Sequence, residues 1–191
     1  MIPYEFDAER FSRWMSYVLR HNPERYGLQP DRHGYVDFDE FFTIAKRRYP
    51  AVSPERLRDL IEGGGGGRFE ISGTRLRARY GHSISVEPAG SPIEPPPQLY
   101  HGTDGARVAS IRAEGLLPRD RRLLHLSETV EDALAVARRH TAHPVVLRVE
   151  ARAAHACGIA FYRESKVYLA SQIPPQFIDP EPVPVTDTNR P

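Results

Sequence analysis

Cysteine occurs once in the 191 residues, at Cys157. That count rules out an internal disulfide and a cysteine-built zinc site, and a reducing cytoplasm is the expected compartment. No run of 18 apolar residues exists, so no membrane-spanning helix is expected. The opening MIPYEFDAERF carries acids early and no apolar stretch, so no secretory signal is expected either. Charge of one sign is also lacking: the formal net charge is +1, and the chain as a whole is no polyanion binder. HExxH, GxGxxG and the P-loop pattern are all missing, which argues against a zincin, a Rossmann dinucleotide site and a Walker nucleotide site. No metal site is expected.

Lysine is nearly absent, and that shapes what remains. Only Lys46 and Lys166 occur among 26 basic residues, leaving 24 arginines. A GC-rich genome is the bland cause. The sharper one is phosphate recognition, because a guanidinium meets phosphate oxygens two at a time. Position has to separate the two.

Hydrophobic residues at 40% and charged residues at 27% describe a folded protein, long enough for one domain or two small lobes. A proline-rich stretch, 88–97, cannot pack as helix or central strand and reads as a linker. It divides a lobe at 1–87 from one at 98–178, with a tail at 179–191. In the first lobe Asp7 caps a helix to about His21, with Phe11, Trp14, Met15, Val18 and Leu19 on one face. Pro23 stops it. Asp37 and Glu40 open a second helix, and Ser53-Pro54 a third. Gly63–Gly67 is a glycine loop. Strands at 68–72 and 75–80 follow, turning at Gly73-Thr74. Three helices and a hairpin suggest a winged helix, by fold analogy alone. In the second strand Leu76, Ala78 and Tyr80 face one way and Arg75, Arg77 and Arg79 the other. The three arginines are a solvated face or an RNA-backbone track.

The second lobe alternates short strands and helices: strands at 98–102, 123–126, 144–149, 161–162, 167–170 and 176–178, helices at 107–114 and 130–140. The fold class is α/β of the α+β type. Cys157 is expected to be buried. At about 100° per residue, Arg20 lies opposite the apolar arc of the first helix and His21 on its flank, so both can reach a ligand. A cation near a helix C-terminus also needs no function to be favoured there. His101-Gly102-Thr103 ends a strand, where a glycine lets a ligand approach the backbone. Arg121, Arg122, His125 and Ser127 cluster around the next strand.

Taken in order, Leu19-Arg20-His21-Asn22-Pro23, Gly27-Leu28, Gly34-Tyr35-Val36-Asp37, Arg68-Phe69, Arg77-Ala78-Arg79-Tyr80-Gly81-His82-Ser83, Leu99-Tyr100-His101-Gly102-Thr103, Gly115-Leu116, Arg121 and His125-Leu126-Ser127 closely resemble the RNA 2′-phosphotransferase family. The match runs from about residue 11 to residue 178. The resemblance implies a winged-helix lobe followed by an ADP-ribosyltransferase-like mixed-sheet lobe. It implies NAD as co-substrate, no metal, and RNA bearing a 2′-phosphate as partner. A monomer is expected.

By the same resemblance the catalytic set is Arg20, His21 and Arg68 from the first lobe and Arg121 from the second. His82, Ser83, His101, Gly102, Thr103, His125 and Ser127 correspond to NAD-binding residues. Val167 takes the position where many ADP-ribosyltransferases carry glutamate. The family usually has polar residues before Arg68, where this chain has glycines, and Asn-Gly-Val-Trp where it has Ser165-Lys166-Val167-Tyr168. The implied reaction has two steps. The 2′-phosphate attacks the anomeric carbon of the nicotinamide ribose and expels nicotinamide. The ribose 2″-hydroxyl then attacks the phosphorus of this ADP-ribosylated phosphate, releasing RNA with a free 2′-hydroxyl and ADP-ribose 1″,2″-cyclic phosphate. The alternatives are ADP-ribosylation of terminal phosphates on nucleic acid, and a winged-helix RNA-binding protein without activity, which scattered arginines would favour.

Overall fold

A computed structural model describes residues 6–63, 67–179 and 181–184. The middle of the glycine loop, 64–66, and the tail residues 180 and 185–191 lie outside the described residues. Two compact units are present: residues 1–89 with 120–122, and residues 90–119 with 123–191. Among the described residues they hold six α-helices and two antiparallel sheets.

The first unit begins with α1 (Ala8–His21), whose N-terminus is fixed by the Asp7 carboxylate accepting from the Arg10 N–H. Phe11, Trp14, Met15, Val18 and Leu19 are buried, as their spacing predicts. β1 (Val36–Asp37) leads straight into α2 (Phe38–Arg48), where Asp37 accepts from the Asp39 and Glu40 N–H groups. Ser53 caps α3 (Pro54–Glu62). β2 (Phe69–Ser72) and β3 (Arg75–Ala78) form the hairpin, and β1 adds to its free edge in the order β1-β3-β2. The α1 face packs on Phe41, Leu57, Leu76 and Ala78, and edge-to-face rings of Phe11 and Tyr49 tighten the contact. Each such fully buried large side chain contributes about 1.5–3 kcal/mol.

β3 stops at Ala78, two residues short of expectation. Its three arginines do not form an open stripe. Arg77 is 3% exposed and bonded to Glu70, its cross-strand partner on β2. Arg79 leans toward the same carboxylate, and Arg75 pairs with Asp31 over the Tyr35 ring. Burying Arg77 without Glu70 would strand a charge, so the pair is a structural unit.

The second unit is built on β4 (Leu99–Asp104), β5 (Leu124–Ser127), β6 (Pro144–Val149), β7 (Phe161–Glu164) and β8 (Val167–Ala170), ordered β6-β4-β5-β8-β7. Every pairing is antiparallel, so the sheet is not the mixed one expected. Helices α4 (Val108–Glu114), α5 (Val130–Ala137) and α6 (Ala151–Ala156) complete it. The last was not anticipated from the sequence; it is short and has no side-chain cap. The strand expected at 176–178 is a single 3-10 turn, Pro175–Phe177, because Pro174 and Pro175 have no N–H to give a ladder. Only Ile178 reaches a strand, bridging to Val149.

The proline-rich stretch is more than a linker. Ile93 bridges to Phe161, and the Pro97 carbonyl accepts from the Arg152 N–H, so from Gly90 onward it packs with the second unit. Part of the tail is docked too: the Val183 N–H bonds to the Val146 carbonyl on the edge strand β6. Cys157, the C-cap residue of α6, is exposed, contrary to expectation.

Candidate functional site

In the first unit, Gly81-His82-Ser83 organises a cationic cluster. The Arg20 carbonyl at the end of α1 accepts from the Ser83 N–H at 3.0 Å, and the Ser83 hydroxyl lies 2.9 Å from Nδ1 of His21. Gly81 has φ +89°, a conformation that favours glycine, and a Cβ there would sit 3.4 Å from Cδ and Nη1 of Arg20. The turn therefore lies directly against the arginine. The guanidinium also rides over the Tyr80 ring at 5.3 Å and the Phe69 ring at 5.9 Å.

Arg121 reaches this place through the backbone. The His82 carbonyl accepts from the Arg122 N–H at 3.2 Å, which ties 120–122 to the first unit. The expectation that Arg121 belongs with the second lobe is thus corrected: residues 120–122 fall with the first unit. Its charge, with that of exposed Arg68, bears on Arg20.

The electrostatics are those of crowded cations. Burial pulls Arg20 down to about 10; Tyr80 opposes the shift, and Arg121 and Arg68 add to it. Arg20 remains charged at neutral pH. Its Nε and Nη2 are buried and have no hydrogen-bond partner among the described residues. Burial, Arg20 and Arg121 likewise hold His21 below its ordinary 6.5. A doubly charged anion would answer all of these at once: donors without acceptors, and like charges without a counter-ion.

His82 is different. It is 5% exposed, and its Nε2 is buried without a partner among the described residues. A Cβ on Gly34 would stand 3.1 Å from that nitrogen, so the ring is packed under the 31–35 turn. Burial, then Arg20, Arg77 and His21, push it down to about 4. The ring is therefore neutral at pH 7. Below pH 6.5 the unfolded chain takes up a proton that the folded chain refuses until about pH 4. Stability is expected to fall across that window by about 3 kcal/mol, as a difference between wild type and His82→Asn in urea unfolding at pH 7 and pH 4. Equal acid losses in both would remove the assignment.

In the second unit the expected residues do not share one face. β4 and β5 are joined by one pair, Tyr100 with Ser127, while β4 and β6 share six. His101 fills the opening, its Nδ1 3.1 Å from the His125 carbonyl. Paired residues point to the same side of a sheet. His125, Ser127 and Val167 therefore lie on the Tyr100 side, and His101 and Thr103 on the side of Leu99 and Leu147. Thr103 is 5% exposed, and its hydroxyl has no partner among the described residues.

Gly102 is mid-strand, and its missing Cβ would stand 2.0 Å from the Ala133 carbonyl. This glycine admits α5 to the sheet. Beside Val167, the Tyr168 hydroxyl donates to Glu128 at 3.0 Å, and Arg163 lies 3.5 Å from the same carboxylate. No group of three or more His, Cys, Asp or Glu side chains among the described residues is placed to hold a metal ion.

Comparison with known sequences decides what this arrangement belongs to. The sequence model of the RNA 2′-phosphotransferase, Tpt1 / KptA family matches residues 7–172. The chain belongs to the RNA 2′-phosphotransferase family. It is 38% identical over 173 residues to a probable RNA 2′-phosphotransferase of Thermococcus kodakarensis, covering 90% of this chain and 96% of that one. A probable RNA 2′-phosphotransferase of Rhizobium leguminosarum bv. trifolii is 41% identical over 171 residues, covering 89% and 92%. One from Lacticaseibacillus paracasei is 39% identical over 171 residues, covering 88% and 91%.

For a member of the RNA 2′-phosphotransferase family, the cluster around Arg20 is the feature that fits an oxyanion. Sequence reasoning missed what holds it: the rings of Tyr80 and Phe69, and the backbone link from His82 to Arg122. The run Arg79-Tyr80-Gly81 was a readable signal for the first, since a tyrosine beside a turn glycine can face a neighbouring helix end. Nothing in the sequence signals the second. No helix of the described residues is long and apolar enough to cross a membrane.

Proposed function

We propose that this chain transfers an internal RNA 2′-phosphate to NAD, leaving a 2′-hydroxyl on the RNA and releasing nicotinamide and ADP-ribose 1″,2″-cyclic phosphate. The observation that carries the reading is the convergence of Arg20, His21, Arg68 and Arg121 in one unit, with two Arg20 nitrogens buried and unpartnered among the described residues. We read the first unit as winged-helix-like and the second as ADP-ribosyltransferase-like.

The phosphate dianion needs neutralising and aiming, not deprotonation. Arg20, Arg68 and Arg121 supply paired charge-assisted hydrogen bonds, and Arg20, even at about 10, stays protonated at working pH. The same groups stabilise charge that shifts onto the equatorial phosphoryl oxygens during transfer. His21 holds the proton for the departing 2′-oxygen, and the arriving dianion raises the affinity of that imidazole for it. The Ser83 hydroxyl at Nδ1 leaves Nε2 as the nitrogen turned to the substrate.

NAD, when bound, supplies an anomeric carbon with a leaving group and an adjacent hydroxyl. The second unit has fitting features: strands that part after one pair, a histidine in the opening and an orphaned threonine hydroxyl. His101 and Thr103 on one face of the sheet and His125 and Ser127 on the other are the residues we assign to it, the gap where β4 and β5 part joining the two faces.

The test is incubation of an internally 2′-phosphorylated oligonucleotide with the chain, with and without NAD, followed by mass analysis. Loss of one phosphate only when NAD is present, with the cyclic phosphate among the products, is expected. Retention of the phosphate, or its loss without NAD, contradicts the reading. A product stalled with ADP-ribose on a terminal phosphate points to end modification instead.

A further inference from the structure

We propose that the outer face of α1 is a track for single-stranded RNA, with Tyr17 as a platform for the base next to the 2′-phosphate. The proposal rests on the reading above and adds a surface to it. At about 100° per residue, Arg10, Arg13, Tyr17, Arg20 and His21 fall within an arc of about 100° that starts opposite the buried face of the helix at Arg20 and ends on its flank at His21. Arg10, Arg13, Tyr17 and His21 are all exposed. Along the axis, His21 to Tyr17 and Tyr17 to Arg13 are each about 6 Å, and Arg10 lies about 4.5 Å further. The stripe runs directly into the cationic cluster.

Tyr17 is unusual. It and Leu117 are the large hydrophobic side chains most open to solvent among the described residues, at 41% and 45% exposed. Its ring centroid lies 6.5 Å from that of His21, inclined by 49°. An exposed aromatic face beside a proposed phosphate site, flanked by arginines, is what an unpaired base and its backbone require. A duplex would keep its bases stacked and leave Tyr17 idle. The acid on this side, Glu9, sits at the edge of the arc in an exposed pair with Arg13 at 3.1 Å. Such a pair is weak enough for a phosphate to displace. On β3, by comparison, Arg77 is buried with Glu70 and Arg75 is paired with Asp31.

The test is fluorescence anisotropy with the full chain and a labelled single-stranded oligonucleotide carrying one internal 2′-phosphate, without NAD and across a salt series. Tyr17→Ala is expected to weaken binding about tenfold, and Tyr17→Trp to restore it. The double variant Arg10→Ala, Arg13→Ala is expected to flatten the slope of log K against log salt by about 1.4, the loss of two single-strand phosphate contacts. All three sites are exposed, so the fold is expected to persist, checked by circular dichroism. Wild-type binding that is unchanged in these variants overturns the track and leaves the transfer reading standing. Failure of the wild-type chain to bind the oligonucleotide at all overturns both. Tighter binding of the same sequence as a duplex overturns the single-strand assignment.

Discussion

Replacing Arg20 by methionine is expected to slow 2′-phosphate transfer by about 10²–10³ and to raise the melting temperature at the same time. The two effects have one cause. The folded chain holds a charged guanidinium against burial and against Arg121 and Arg68, which pulls it from its ordinary value down to about 10. Keeping it charged at pH 7 costs the folded state about 3 kcal/mol, fully present below pH 10. The Phe69 and Tyr80 faces return about 0.5–2 kcal/mol of that. Methionine keeps most of the volume and removes the penalty, so a net gain of about 1 kcal/mol is expected. That is about 2–4 °C in melting temperature for a chain of this size.

Arg68→Ala and Arg121→Ala should lose rate comparably without the gain, because both side chains are exposed. Kinetics on the 2′-phosphorylated oligonucleotide and thermal unfolding of the same samples check both halves. An Arg20→Met chain that is active, or inactive and less stable, would count against a cluster strained for function.

Gly102→Ala is expected to destabilise the chain by at least about 3 kcal/mol. The new Cβ would lie 2.0 Å from the Ala133 carbonyl oxygen, 2.9 Å from its carbon and 3.0 Å from the Ala137 Cβ. Two of those atoms are helix backbone, so no side chain can rotate away, and α5 has to lift from β4. Lifting it exposes Ala133, Leu134 and Val146, which form a small cluster of their own. Urea unfolding measures the loss. If instead Gly102 serves close approach of a ligand, the variant will unfold like wild type and bind NAD less well. The two outcomes separate packing from recognition at a residue for which the sequence suggested the second.

That glycine illustrates how far local pattern reaches. Asp7, Asp37 and Ser53 cap helices where the sequence places them, and the apolar spacing of Phe11 to Leu19 gives the buried face of α1. These are rules of one turn, and one turn of sequence contains them. β6 and β8 were legible for the same reason, as bounded apolar runs. What was not legible depends on residues far apart in the chain. Alternation puts Arg77 on the outer side of β3, but Glu70 and the Tyr35 ring cover that side. The proline run looks like a tether until Ile93 finds Phe161. Arg121 falls with the first unit, where the His82 carbonyl takes the Arg122 N–H.

For the site, the motif order named the residues of the cationic cluster. It could not indicate that His82 is a packed, neutral ring, or that the second unit's candidates divide between two faces of a sheet. Residue identity fixes what a side chain can do; the pairing register and burial decide what it faces.

In the proposed mechanism four basic side chains meet on one phosphate dianion. Phosphorus NMR of the 2′-phosphate on an oligonucleotide, titrated from pH 4 to pH 8 with saturating protein and no NAD, tests it most directly. A free phosphomonoester has its second pKa near about 6. Bound to the wild-type chain it is expected to titrate at least one unit lower, and to move back toward the free value with Arg20→Met. A 2′-phosphate that titrates identically free and bound would contradict the account.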